Sequence, residues 1–151
     1  MNSITYRSPI GVIVIREEDE MISEIQFTEK SSTIEKPSDL LLQAVGQLDE
    51  YFKGSRNVFN LPLRFSATPF QMKVYQALMA IPYGATASYA DIARMIGKPK
   101  AYRAVGMANN RNRLPIIVPC HRVVGSDGAL VGYASGLSIK QYLLDLERNN
   151  R

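Results

Sequence analysis

Apolar positions change their period as the chain proceeds. Residues 4–6, 12–16 and 22–27 are short β-branched or aromatic runs, separated by Pro9 to Gly11 and by an acidic run at 17–20. This predicts an antiparallel meander of three strands. From Ser38, Leu41, Val45, Leu48 and Phe52 recur at helical spacing until Gly54, which predicts an amphipathic helix covering the sheet. Leu61, Leu63 and Phe65 then alternate with Pro62 and Arg64, as in an edge strand or extended linker. A domain boundary is expected here, with one domain over 1–66 and a second over 67–151.

Helix-start signals dominate the second half. Thr68-Pro69-Phe70-Gln71 offers an N-cap, a first-turn proline and a capping-box glutamine ahead of Val74, Tyr75, Leu78 and Met79. Ser88-Tyr89-Ala90-Asp91 opens a second helix that Gly97 should end. A third helical segment, 101–110, follows the turn at Gly97 to Lys100, which gives the outline of a helix-turn-helix. Its small residues, Ala104, Gly106 and Ala108 among them, allow close approach either to a neighbouring helix or to a DNA groove. A last helix is expected to be capped by Ser138 and to continue through Leu143, Leu144 and Glu147.

Charge sharpens the division. Through Ser66 there are 7 lysines and arginines against 10 acids, whereas from Ala67 there are 11 against 4. A basic half suits a polyanion, because each neutralised phosphate releases counterions. No apolar run reaches the length of a membrane span, and the N-terminus lacks the basic-then-apolar order of a signal peptide; a cytoplasmic protein is expected. One cysteine and one histidine in 151 residues make neither an internal disulfide nor an ordinary zinc site, so neither metal nor cofactor is expected.

That cysteine and that histidine are adjacent. Cys120-His121-Arg122 interrupts the apolar run 116–124. A cysteine attacks as its thiolate and needs a base or cation nearby, which His121 and Arg122 are the right types to supply. On a strand adjacent side chains point apart, so contact requires a turn, and Pro119 makes one plausible. Otherwise His121 acts through a bridging water, with Glu147 orienting it. The same residues also suit a buried small thiol beside a hydrogen-bonded core histidine.

PCHRVVG at 119–125, RAVG at 103–106 and SYADIA at 88–93, in this order and spacing, strongly resemble the O6-alkylguanine-DNA alkyltransferases, also called methylated-DNA-protein-cysteine methyltransferases. The likeness runs from about Thr68 to Glu147. It implies an α/β fold: an N-terminal antiparallel-sheet domain of ribonuclease H-like type, and a helical domain with a winged helix-turn-helix. It implies DNA repair by irreversible, single-turnover transfer of the alkyl group of O6-alkylguanine to Cys120, from a base flipped out of the duplex.

His121 is then the general base, Glu147 its orienting partner, and Asn112 the brace between recognition helix and active site. Tyr89, Arg103, Ala104, Gly106 and Arg122 fall to DNA contact, with Arg103 filling the vacated place in the duplex. Tyr89, Val123, Tyr133, Ala134 and Ser135 line the base pocket. The implied partner is double-stranded DNA containing O6-alkylguanine, met by a monomer through the minor groove and largely independently of sequence.

Two departures stand out. Arg113 follows Asn112 where relatives place proline, and Tyr133-Ala134-Ser135-Gly136 replaces a loop that tends to read Tyr-Ser-Gly-Gly. The zinc of some relatives is not carried over, because its ligands are missing. Three rival readings remain open on sequence: a lesion-binding module without catalysis, a cysteine hydrolase that turns over, and a helix-turn-helix regulator with one preferred operator.

Overall fold

The chain divides by backbone packing into two units, Met1–Ser66 and Ala67–Arg151. The computed structural model describes residues 2–28 and 37–150.

In the first unit, strands β1 (Asn2–Ser8), β2 (Gly11–Glu18) and β3 (Met21–Thr28) pair antiparallel in the order β1-β2-β3. The meander is as expected, with longer strands. The turn into β3 places Asp19 and Glu20 at φ 53° and 61°, and two successive left-handed residues make a tight hairpin whose twist matches the strands. Helix α1 (Asp39–Phe52) is capped by the Ser38 hydroxyl, which accepts from the Leu41 amide at 3.1 Å.

Of its expected stripe Leu41, Leu48 and Phe52 are buried, Val45 is half-buried, and Ala44 and Tyr51 complete the buried face. This stripe and the fully buried Ile13, Ile15 and Ile22 form the core of the unit. Leu63 adds a one-residue parallel bridge to Ile22, so the predicted edge segment joins the sheet only there.

The second unit carries helices α2 (Pro69–Met79), α3 (Tyr89–Met95), α4 (Tyr102–Asn110) and α5 (Leu137–Asn150). Thr68 and Ser88 each close a full capping box, with Gln71 and Asp91 respectively. Ala77, not Met79, completes the buried face of α2; Met79 is exposed. Helix α3 ends in a Schellman arrangement, with Lys98 N donating to Ala93 O at 2.9 Å and Gly97 at φ 76°.

Strands β4 (Ala87–Ser88) and β5 (Val123–Val124) pair parallel. They tether the start of α3 to the segment that follows Cys120. Helix α5 begins at Leu137, so Ser138 lies inside it and is not its N-cap. The cause is Gly136, whose φ of 108° closes the turn from Tyr133 and releases the chain directly into the helix. Among the described residues no helix is long and apolar enough to cross a membrane.

Candidate active site

The nucleophile's backbone is shaped by proline. Pro119, at φ −81° and ψ 66°, sits in an inverse γ-turn closed by Cys120 N donating to Val118 O at 2.8 Å. A 3₁₀ turn over Cys120–Arg122 follows at once. The apolar run is therefore broken as the sequence allowed, and the alternation of a strand does not apply to Cys120 and His121.

Asn112 holds the approach to this turn. Its Oδ1 accepts from Leu114 N at 2.9 Å and its Nδ2 donates to Val118 O at 2.8 Å. The clasp closes around Ile116, a buried β-branched residue held at φ 75°, a conformation that costs about 1–3 kcal/mol and persists only where its surroundings enforce it. Asn109, on the buried side of α4, adds a longer contact from Nδ2 to the Cys120 carbonyl at 3.4 Å.

His121 and Glu147 are sealed from solvent, with His121 Nε2 2.6 Å from Glu147 Oε2. Arg122 grips the same carboxylate with two donors, Nε to Oε1 at 2.8 Å and Nη2 to Oε2 at 3.0 Å, while Nη1 donates to Ile81 O at 2.8 Å. The Gly84 amide donates to Oε1 at 3.1 Å, and the guanidinium packs 5.7 Å from the Tyr83 ring centroid.

Burial pushes the Glu147 carboxyl up, but the hydrogen bonds from His121 and Arg122 outweigh it and hold the group well below the usual range. Burial lowers His121 more than Glu147 raises it, so the ring is neutral near pH 7. An ionised Glu147 fixes the tautomer: Nε2–H donates, and the basic lone pair is on Nδ1, which is buried and has no hydrogen-bond partner among the described residues. This arrangement is suited to taking a proton.

Cys120 is 4 % exposed, and burial pushes its thiol up to about 11, against lowering by Asn112, Lys140 and Tyr133. The resting pair is a thiol beside a neutral imidazole, so ionisation has to be coupled to events at the site. Tyr133 turns its buried hydroxyl toward the sulfur, and Ala134 and Ser135 occupy the turn that follows, Ala134 exposed and Ser135 half-buried. Tyr89 is half-buried, with its hydroxyl donating to Val131 O at 3.2 Å. Its ring packs against Gly106 of α4, where a Cβ would meet it at an ordinary contact distance of 3.7 Å. Val123 is buried in β5.

Arg103 and Ala104 lie on the exposed face of α4. Arg122 does not belong with them: it is only 7 % exposed, and each of its three guanidinium nitrogens already donates to Glu147 or Ile81 inside the protein. Its assignment to DNA contact is corrected, and so is the notion that it supplies the thiol's positive charge. The sequence reading also missed Lys140, fully buried on α5. The signal was available: Lys140, Leu143, Leu144 and Glu147 form one buried helical stripe, in which two charged residues require partners.

Residues 69–149 match the family described as 6-O-methylguanine DNA methyltransferase, DNA binding domain. Residues 1–65 match the 6-O-methylguanine DNA methyltransferase, ribonuclease-like domain. The chain belongs to the 6-O-methylguanine DNA methyltransferase family.

Family relatives align along nearly the whole chain. The methylated-DNA–protein-cysteine methyltransferase of Methanosarcina barkeri is 50% identical over 149 residues, 95% of this chain and 94% of that protein. The constitutive enzyme of the same name from Bacillus subtilis is 49% identical over 154 residues, 95% of this chain and 93% of that protein. The crystal structure of Mycobacterium tuberculosis OGT in complex with DNA matches with a TM-score of 0.90 at 41% identity, covering 99% of this chain and 94% of that one. The α/β fold expected from the family resemblance, an antiparallel-sheet domain followed by a helical one, is the fold observed.

Proposed function

We infer that this protein repairs DNA by direct reversal, moving the alkyl group of O6-alkylguanine irreversibly to Cys120 as a methylated-DNA–protein-cysteine methyltransferase. The observation that carries this reading is the buried Cys120–His121–Glu147 arrangement, standing directly behind a helix-turn-helix in a chain of this family. The thiol proton passes through a bridging water to His121 Nδ1, and Glu147 steadies the imidazolium that forms. Sγ attacks the alkyl carbon, an S–C bond forms, and the C–O6 bond breaks with its electron pair left on the base. The proton held by His121 then neutralises the departing guanine. Because a thioether has no route back to thiol in this site, each molecule acts once.

Residues 67–151 form the DNA-binding and acceptor domain, and 1–66 an accompanying α/β domain. The exposed face of α4, with Arg103 and Ala104 and the half-buried Gly106 beside them, meets the minor groove of duplex DNA. Arg103 fills the gap left by the flipped nucleotide, and Tyr89 presses on its phosphate. Val123, Tyr133, Ala134 and Ser135 line the base pocket. Asn112 braces the passage from α4 to Cys120, a role its paired hydrogen bonds support. Sequence-independent binding suits a protein that meets lesions anywhere, since phosphate contacts carry affinity without base readout. The protein acts as a cytoplasmic monomer.

Titration with a duplex containing radiolabelled O6-methylguanine tests the reading. Label on the protein should saturate at one equivalent, and continued turnover would point instead to a cysteine hydrolase. Competition by undamaged random duplex should be nearly independent of sequence, whereas a single preferred operator would point to a regulator.

A further inference from the structure

Lys140 is fully buried on α5, and its ammonium donates to two backbone carbonyls, Val123 O and, at 2.8 Å, Val131 O. Neither acceptor carries a charge. A cation enclosed in this way is costly unless an anion stands near it. The titratable groups that face Cys120 are Tyr75 on α2, Tyr89 on α3, Tyr133 in the loop before α5, the neighbouring His121, and Lys140. A tyrosine carries no positive charge, His121 is neutral, and the nearby Arg122 is already matched by Glu147. Among the described residues around the thiol, Lys140 is thus the cation without an acid.

Its two acceptors add a mechanical consequence. Val123 directly follows the 3₁₀ turn that carries Cys120, whereas Val131 lies in the loop that leads to Tyr133. The Val131 carbonyl also takes the Tyr89 hydroxyl at 3.2 Å. One ammonium therefore fastens the nucleophile's turn to the pocket loop, at the carbonyl where Tyr89 is also anchored.

We propose that Lys140 is a positioning residue for alkyl transfer, supplying the counter-charge for the Cys120 thiolate while pinning the pocket loop to the turn that carries the sulfur. The mutual effects agree in sign: Lys140 lowers the thiol, and Cys120 raises the lysine, each opposing the effect of burial. The inference rests on Cys120 being the alkyl acceptor, but its test is separable from that reading.

The pH dependence of Cys120 alkylation by chloroacetamide, without DNA, reads the thiolate directly in the wild type, Lys140→Met and Lys140→Arg. Lys140→Met should move the midpoint upward by about one pH unit or more, roughly a tenfold loss of thiolate near neutrality. Lys140→Arg should stay close to the wild type. If circular dichroism finds Lys140→Met unfolded, Lys140→Gln, which keeps an N–H donor but removes the charge, should give the same upward shift. A folded, uncharged variant with the wild-type midpoint overturns the proposal. A wild type that leaves O6-methylguanine DNA untouched would instead overturn the transfer reading, and the midpoints would still decide the role of Lys140.

Discussion

His121 and Glu147 meet at 2.6 Å in a region sealed from solvent, and both oxygens of the glutamate are also held by Arg122. The carboxylate does two things at once. It turns the imidazole so that Nδ1 is left as the base, and it neutralises a buried guanidinium that has no other acid among its hydrogen-bond partners.

Glu147→Gln removes the charge while keeping the shape, and leaves Arg122 buried and uncompensated. Breaking a buried pair from one side costs about 3–5 kcal/mol, so a urea titration should show a loss of that size. Methyl transfer, measured at low temperature on the protein that remains folded, should slow by about 10²-fold through loss of the oriented base. A stability within 1 kcal/mol of the wild type, on the scale of an ordinary surface change, would contradict the assigned charge balance.

Stability should fall on both sides of neutrality. His121 has a depressed pKa when folded, so below about 6.5 the unfolded chain binds the extra proton and gains. Glu147 is likewise depressed; its contribution is present above the ordinary glutamate value and is lost as the pH falls toward its folded one. Cys120 is raised to about 11, so in alkaline solution the unfolded thiol ionises first and stability declines between its ordinary pKa and that value. Denaturant midpoints at pH 5, 7 and 9.5 should peak at the middle value. Cys120→Ser should remove the alkaline decline attributable to the thiol.

Gly132 stands at φ 53°, and a Cβ there would lie 3.1 Å from the Tyr89 hydroxyl and 3.4 Å from the Asn110 amide. Gly128, at φ 83°, faces open space. Both alanine variants incur the left-handed penalty of roughly 1–2 kcal/mol, but only Gly132→Ala pushes on Tyr89. Single-turnover transfer should therefore slow in Gly132→Ala and stay near wild type in Gly128→Ala. Equal rates in the two would show that the loop does not govern Tyr89.

What was legible in the sequence was local. The two capping boxes at Thr68 and Ser88 and the stop at Gly97 are decided within four or five residues, and the helices begin and end there. The meander was legible because turn residues flank each apolar run.

Contacts across long separations were not legible. Arg122 reads as a free cation until α5 brings Glu147 to it from 25 residues away. Lys140 reads as one more surface lysine until its place in the stripe with Leu143, Leu144 and Glu147 is weighed. The two-residue pairing of β4 with β5 is too short to leave a periodic trace. Ser138 misled because a serine ahead of an apolar stripe imitates a cap, while the φ of Gly136 had already set the helix start.

Intact-protein mass spectrometry with peptide mapping, after incubation with O6-methylguanine duplex, tests the central claim most directly. The wild type should gain the mass of one methyl group, located on the peptide containing Cys120, while Cys120→Ser binds the duplex and gains nothing. A methyl group on another residue, or an unmodified Cys120 after the lesion has disappeared, would contradict the account.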